Sequence, residues 1–160
     1  MDRESLDIVM DTIQKTFNLY PYIADEPIEV GYAWNGLRRQ YDAEEILNRC
    51  LMENKERPIL VIVNDDIYVE GLNFVFGVAQ CGGGAVIGLE RFRYGGDPRD
   101  FRNRLSKTVK HELGHVFGLS HCREACVMRF ANSLWELDRK PPDFCDNCKN
   151  KLRILGVLKD

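Results

Sequence analysis

The sequence predicts one α/β domain: a mixed, twisted sheet packed by helices and followed by a short cysteine-rich tail. Three observations carry this expectation. The 160-residue chain is 44% hydrophobic and 29% charged, a balance that suits a single hydrophobic core of ordinary size. Amphipathic helical periodicity alternates with β-branched runs up to residue 117, the pattern of helices laid on a sheet. Beyond that point cysteine replaces strand pattern as the dominant signal.

Each element has a local reason. Leu6, Val9, Ile13 and Phe17 recur at helical spacing with charge between them, so a first helix is expected over residues 3 to 17. Tyr20-Pro21-Tyr22 and Glu26-Pro27 break helix geometry, and Pro27 to Gly31 is expected as a short strand. A second helix spans residues 42 to 52, with Asp42 as N-cap, Glu45 three residues later, and an apolar face of Ile46, Leu47, Cys50 and Leu51. Ile59 to Val63 is a continuous β-branched run and reads as a buried parallel strand. Strands are expected at Leu72 to Ala79 and Ala85 to Phe92, joined across Gly82-Gly83-Gly84, a conformationally permissive turn. No Gly-Lys-Ser/Thr follows those glycines, which argues against a phosphate loop. A long helix opens at Asp97-Pro98, buries Phe101, Leu105, Val109, Leu113, Val116 and Phe117, and stops at Gly118. A last helix is expected from Asp146 to Leu158.

Composition also excludes function classes. The net charge of -3 argues against a dedicated nucleic-acid binder. Apolar runs are only a few residues long, so no membrane span is expected. Met1 to Ser5 carries no signal-peptide pattern, which points to the cytoplasm. Clustered cysteines in such a reducing compartment read as metal ligands. Residues 91 to 110 hold seven basic and two acidic side chains, expected to form a solvated helix face.

The chain has three histidines, all within eleven residues, as His111-Glu112-x-x-His115-x-x-Gly118-x-x-His121. On a helix His111 and His115 share a face one turn apart, and two imidazoles there reach one ion. Glu112 stands to one side, where a general base takes a proton from activated water. Gly118 lets the chain turn back with His121 as third ligand. Three histidines leave an open fourth zinc position for that water, the mark of a catalytic site. The reaction this chemistry fits is hydrolysis of a peptide or amide bond.

Cys122-x3-Cys126 and Cys145-x2-Cys148 form two short-spaced pairs. They suit a closed four-thiolate zinc site, with disulfides or unlinked thiols as the alternatives. Cys148, near the start of the last helix, is where the helix dipole favours a thiolate. Because His121 and Cys122 are adjacent, they serve different metals only by pointing different ways, and a four-cysteine zinc would fix the loop that delivers His121. Cys50 reads as a buried small hydrophobe and Cys81 as a strand-end packing residue.

The eleven-residue histidine string resembles the metzincin clan of zinc peptidases, and its compact form, with cysteines woven around it, resembles the archaemetzincins. The resemblance implies a zincin-like fold, a zinc metallopeptidase, and two Zn2+ ions. It implies His111, His115 and His121 as ligands of the catalytic zinc, with Glu112 as base. Met128 would be the Met-turn residue beneath that zinc, and Cys122, Cys126, Cys145 and Cys148 would hold a structural one. Residues 1–160 then form one domain, with the sheet and active-site helix in 1–121 and a zinc-tied part in 122–160. The expected partner is a peptide or protein substrate, acting on a monomer. The clan's habit of binding substrate beside an edge strand points to Ala85 to Leu89. All six tyrosines precede the motif, so the tyrosine that assists some metzincins from beyond the Met-turn has no counterpart here. A non-catalytic two-zinc binding protein is the alternative reading, against which Glu112 argues.

Overall fold

The computed structural model describes residues 2–159. Its larger sheet has three strands, β3 (Ile59–Val63), β5 (Gly77–Gln80) and β6 (Gly84–Gly88), in the order β3-β6-β5. β3 runs parallel to β6 in register from Ile59↔Gly84 to Val63↔Gly88, and β5 runs antiparallel to β6. A smaller sheet joins β1 (Trp34–Asn35), β2 (Gln40–Asp42) and β4 (Ile67–Tyr68).

Period-two alternation divides the larger sheet between two cores. Ala85 and Ile87 face the core shared with helices α1 (Arg3–Thr16) and α3 (Pro98–Val116). Val86, Val61 and Val63 face the other side, against Ile46, Leu47 and Cys50 of α2 (Ala43–Glu53). The parallel strand, both early helices and the long helix are therefore as expected, as is the mixed α/β class. Asp42 and Asp97 cap their helices by accepting from the Glu45 and Arg99 amides. Gly118 ends α3 in the left-handed region at φ 98.

Several expectations fail, each for a physical reason. Pro27 to Gly31 forms no strand: the Glu29 carboxylate accepts from the Gly31 amide at 2.7 Å, a local bond that competes with a ladder, and a short 3-10 turn follows at Gly31–Ala33. Of Leu72 to Ala79 only Gly77 onward is strand, because Arg38 and Gln40 take the Leu72 and Asn73 carbonyls. Ala85 to Phe92 ends as strand at Gly88 and becomes a 3-10 turn at Glu90–Arg93. The last helix, α5 (Asp146–Ile154), stops short of Leu158, which instead bridges back to Phe17. A short helix, α4 (Leu134–Arg139), has no counterpart in the sequence reading, although the Ser133 hydroxyl caps it, accepting from the Glu136 amide and donating to the Glu136 carboxylate.

The basic segment meets expectation only in part: Arg93, Arg99 and Arg102 are exposed, but the later cations are not. Arg104 is buried, at 6% exposed, and grips both Asp138 oxygens at 2.8 Å while donating to the Phe92 and Tyr94 carbonyls. Lys107, also buried, donates to the Leu137 and Asp138 carbonyls at the end of α4, and Lys110 to that of Pro142. These cations tie the tail to α3 rather than facing water. Arg104→Met is expected to destabilise the fold by about 2–3 kcal/mol, the cost of unmaking hydrogen bonds to a buried charge, read from the urea midpoint. An unchanged midpoint would show that the tail docks without it.

Candidate active site

One turn of α3 separates His111 from His115, and each ring is fixed from behind. His111 Nδ1 lies 2.8 Å from the Val127 carbonyl and His115 Nδ1 lies 2.7 Å from that of Leu119. A carbonyl only accepts, so each Nδ1 carries the proton and each Nε2 presents a lone pair. The two Nε2 atoms then stand 3.1 Å apart. Lone pairs facing at that distance repel unless a cation lies between them. The spacing is close to the roughly 3.3 Å edge of a tetrahedron with bonds of about 2.0–2.1 Å.

His121 completes the group, with one ligand atom from each histidine within 4.8 Å of the others. The left-handed Gly118 makes this return possible, and the ring of Phe130 packs edge-on against His121 at 5.2 Å. Burial pulls His111 down to about 3 and lowers His115 and His121 as well. The three rings are thus neutral at physiological pH, the state in which imidazole binds a metal.

Met128 is fully buried beneath the helix. A Cβ on Gly114 would lie 2.4 Å from the Met128 sulfur, so the second variable position of the motif has to be glycine for the methionine to sit there. The Cys122 amide donates to the Met128 carbonyl at 3.0 Å and closes the intervening loop.

Glu112 is buried on the side of β5. A Cβ on Gly77 would lie 2.8 Å from its Cγ and 3.0 Å from an Oε1. No protein group hydrogen-bonds the carboxylate among the described residues. No buried side-chain oxygen is left without a partner either, so the carboxylate keeps some contact with solvent. Burial pushes Glu112 up to about 8, against the pull of the Lys140 charge. Lys140 is itself drawn down by burial to about 8, with Glu112 opposing.

The cysteines converge behind this site. One sulfur from each of Cys122, Cys126, Cys145 and Cys148 falls within 4.8 Å of the others. The Cys122 and Cys145 sulfurs are 3.8 Å apart, and all six cysteines are free thiols. A disulfide needs about 2.05 Å, whereas a tetrahedron with zinc–sulfur bonds of about 2.3 Å has edges near 3.8 Å. Burial raises Cys126 and Cys148, while Cys145, with burial opposing, is held low by hydrogen bonds from Cys148. Cys145 is the N-cap residue of α5. Both donor sets, three neutral imidazoles and four clustered thiols, fit zinc. Cys50 is buried as expected, but Cys81 is exposed, its sulfur 3.9 Å from where a Gly118 Cβ would lie.

Sequence reasoning overlooked Lys140, Gly77 and the role of Gly114. It also misplaced the edge strand. Ala85 to Leu89 belongs largely to the central strand β6, which is buried throughout, while the edge beside Glu112 is β5. The missing signal was order within the sheet, which a hairpin's sequence does not show.

Comparison with known proteins places this geometry. A model described as peptidase family M54 matches residues 29–154. Archaemetzincin from Archaeoglobus fulgidus is 36% identical over 96% of this chain and 94% of its own length. That from Methanopyrus kandleri is 42% identical over 76% of this chain and 71% of its own. The crystal structure of the A. fulgidus protein, complexed with malonate, superimposes with a TM-score of 0.86 over 94% of both chains. A zinc-dependent peptidase from Methanocorpusculum labreanum, 26% identical, gives 0.78 over 94% of this chain and 92% of its own. With the family match running through both the histidine and the cysteine clusters, the chain belongs to peptidase family M54, the archaemetzincins, and is a zinc metallopeptidase.

Proposed function

We propose that this chain hydrolyses peptide bonds at the cleft between β5 and α3, using His111, His115 and His121 as zinc ligands and Glu112 as general base. The observation that carries the reading is the pair of Nε2 lone pairs 3.1 Å apart on α3 beside a carboxylate that no protein group occupies. Zinc in that position supplies Lewis-acid activation of water and of the scissile carbonyl. The positive charge of a bound zinc would favour the ionised form of Glu112 against its burial, and the carboxylate then receives the proton lost by the attacking water and passes it to the departing amine nitrogen. The Glu112 carboxylate is unpaired and keeps some contact with solvent, so both transfers need only a small movement of one side chain. A purely structural three-histidine site has no use for such a group.

The substrate pairs with the outer edge of β5. Among the described residues no strand bonds that edge, and an extended peptide laid along Gly77–Gln80 passes next to Glu112. Backbone pairing supplies affinity with little demand on side chains. Met128 forms the floor of the site without binding the metal. The chain works as one domain and a monomer, in the cytoplasm, without nucleic acid or membrane. No helix among the described residues is long and apolar enough to cross a membrane.

Cys122, Cys126, Cys145 and Cys148 hold a second, structural zinc. The Cys126 sulfur accepts from the Met128 and Cys145 amides at 3.4 and 3.3 Å. Between those contacts lies Val127, whose carbonyl fixes His111. The cysteine cluster is thus two bonds removed from the catalytic ligands.

Three outcomes test this reading. Glu112→Gln is expected to keep its zinc and to lose peptide cleavage by about 10²-fold or more, measured on a peptide library; retained cleavage would remove Glu112 from the mechanism. Gly77→Ala forces only the flexible Glu112 side chain aside, so kcat should fall while the melting temperature stays within about 4 °C of wild type, under roughly 1 kcal/mol. An unaltered kcat would show that the carboxylate has room to spare. Cys145→Ser should lose one zinc and weaken the remaining site about tenfold or more, as outer-shell changes do, in chelator competition. Unchanged affinity would uncouple the two metals.

A further inference from the structure

Among the described residues, Lys140 is the one buried cation at the site that neither the histidine motif nor the cysteine cluster contains. It is 6% exposed and follows directly on α4, whose C-terminal end it caps by donating its amide to the Glu136 carbonyl. Its ammonium reaches back to α3. Nζ donates to the Arg129 carbonyl at 3.2 Å and stands 3.3 Å from His111 Nδ1. That nitrogen already donates to Val127, so Lys140 does not bond it. The ammonium instead holds the Arg129 carbonyl, two residues on from Val127, whose own carbonyl fixes the ring.

The route by which Lys140 arrives is itself fixed by α3. Arg104 holds both oxygens of Asp138, and Lys107 takes the carbonyls of Leu137 and Asp138. Both lie on the helix that carries His111, one and two turns before it. The path from Arg104 through Asp138 and Lys140 to His111 is therefore closed, beginning and ending on one helix. Lys140 is set on the Nδ1 side of the imidazole, away from the Nε2 lone pair.

We propose that Lys140 is a positioning residue of the hydrolytic centre: it pins the Arg129 carbonyl at the exit of the methionine turn and locks the His111 ring in the orientation that aims Nε2 at the metal. This rests on His111 being a ligand of the catalytic zinc. The division of labour is specific. His115 is held by its own helix end, through Leu119, and does not depend on Lys140. A loss of Lys140 should free one ring and leave the other.

Three histidines make this measurable by NMR of the ring N–H protons in the zinc-loaded protein. In Lys140→Met, which keeps the length of the side chain and removes the donor, the His111 Nδ1–H should exchange with water at least about tenfold faster, while that of His115 is unchanged. On a cleaved peptide, kcat should fall by about tenfold or more with KM within about twofold, the signature of a misplaced group rather than lost binding. Wild-type exchange at His111 would overturn the proposal whatever the activity, and so would equal loosening of both rings, which marks general destabilisation. If Lys140→Met does not fold, Asp138→Asn, which weakens the clamp from the partly exposed side, should speed His111 exchange in the same direction. No effect there would overturn it as well. A wild-type protein that cleaves no peptide would refute the proposed activity, but the His111 signal would still decide the role of Lys140.

Discussion

The hydrogen bond from the His111 imidazole to the Val127 carbonyl is the contact on which the candidate site depends. It fixes a tautomer, and so decides which nitrogen faces the cleft. It also joins the two halves of the molecule: His111 belongs to the helix that packs on the sheet, and Val127 to the loop that the cysteines organise. Val127 is held in turn, its amide donating to Asp143 at 2.9 Å and its neighbour Met128 bonded to the Cys126 sulfur. Disturbing either side of this bond moves a candidate metal ligand.

That constraint explains why α3 is built as it is. Leu105, Val109, Leu113 and Val116 supply the core, while Arg104, Lys107 and Lys110 anchor the tail. The last turns carry His111 and His115. Three tasks on one 19-residue helix leave little freedom, and Gly114 shows the consequence: the methionine needs the space that any side chain there would fill. Gly77 is the same argument on the opposite wall, where the strand has to pass close to Glu112 without displacing it. Burying lysine and arginine is costly unless every donor finds an acceptor, and carbonyls at the end of α4 together with Asp138 meet that need.

The two-metal reading gives the tail a role beyond covering the core. A chain segment with only a six-residue and a nine-residue helix orders poorly by local interactions alone. The converged sulfurs, the Arg104–Asp138 pair and the bridge from Leu158 to Phe17 provide non-local ties instead. A small apolar cluster of Phe17, Phe117 and Phe144 lies between them.

What the sequence determined was whatever depends on spacing along one element. Helical periodicity gave α1, α2 and α3, with Asp42 and Asp97 as caps of the last two, and a β-branched run gave β3. The four-residue spacing put His111 and His115 on one face, and Gly118 marked the turn that returns His121. The cysteine pairs likewise announced themselves by their short separations. What only the tertiary structure decided was whatever depends on distant segments meeting. Sheet order made β5 rather than β6 the open edge, because an antiparallel hairpin reads the same whichever strand lies outside. Arg104 and Lys107 turned inward because Asp138 and the carbonyls at the end of α4, about 30 residues away, arrived to receive them. Lys140 carried no local signal, since its place behind His111 exists only once α4 has docked. Local chemistry is written in the order of residues, but the neighbours that orient a side chain come from the whole fold.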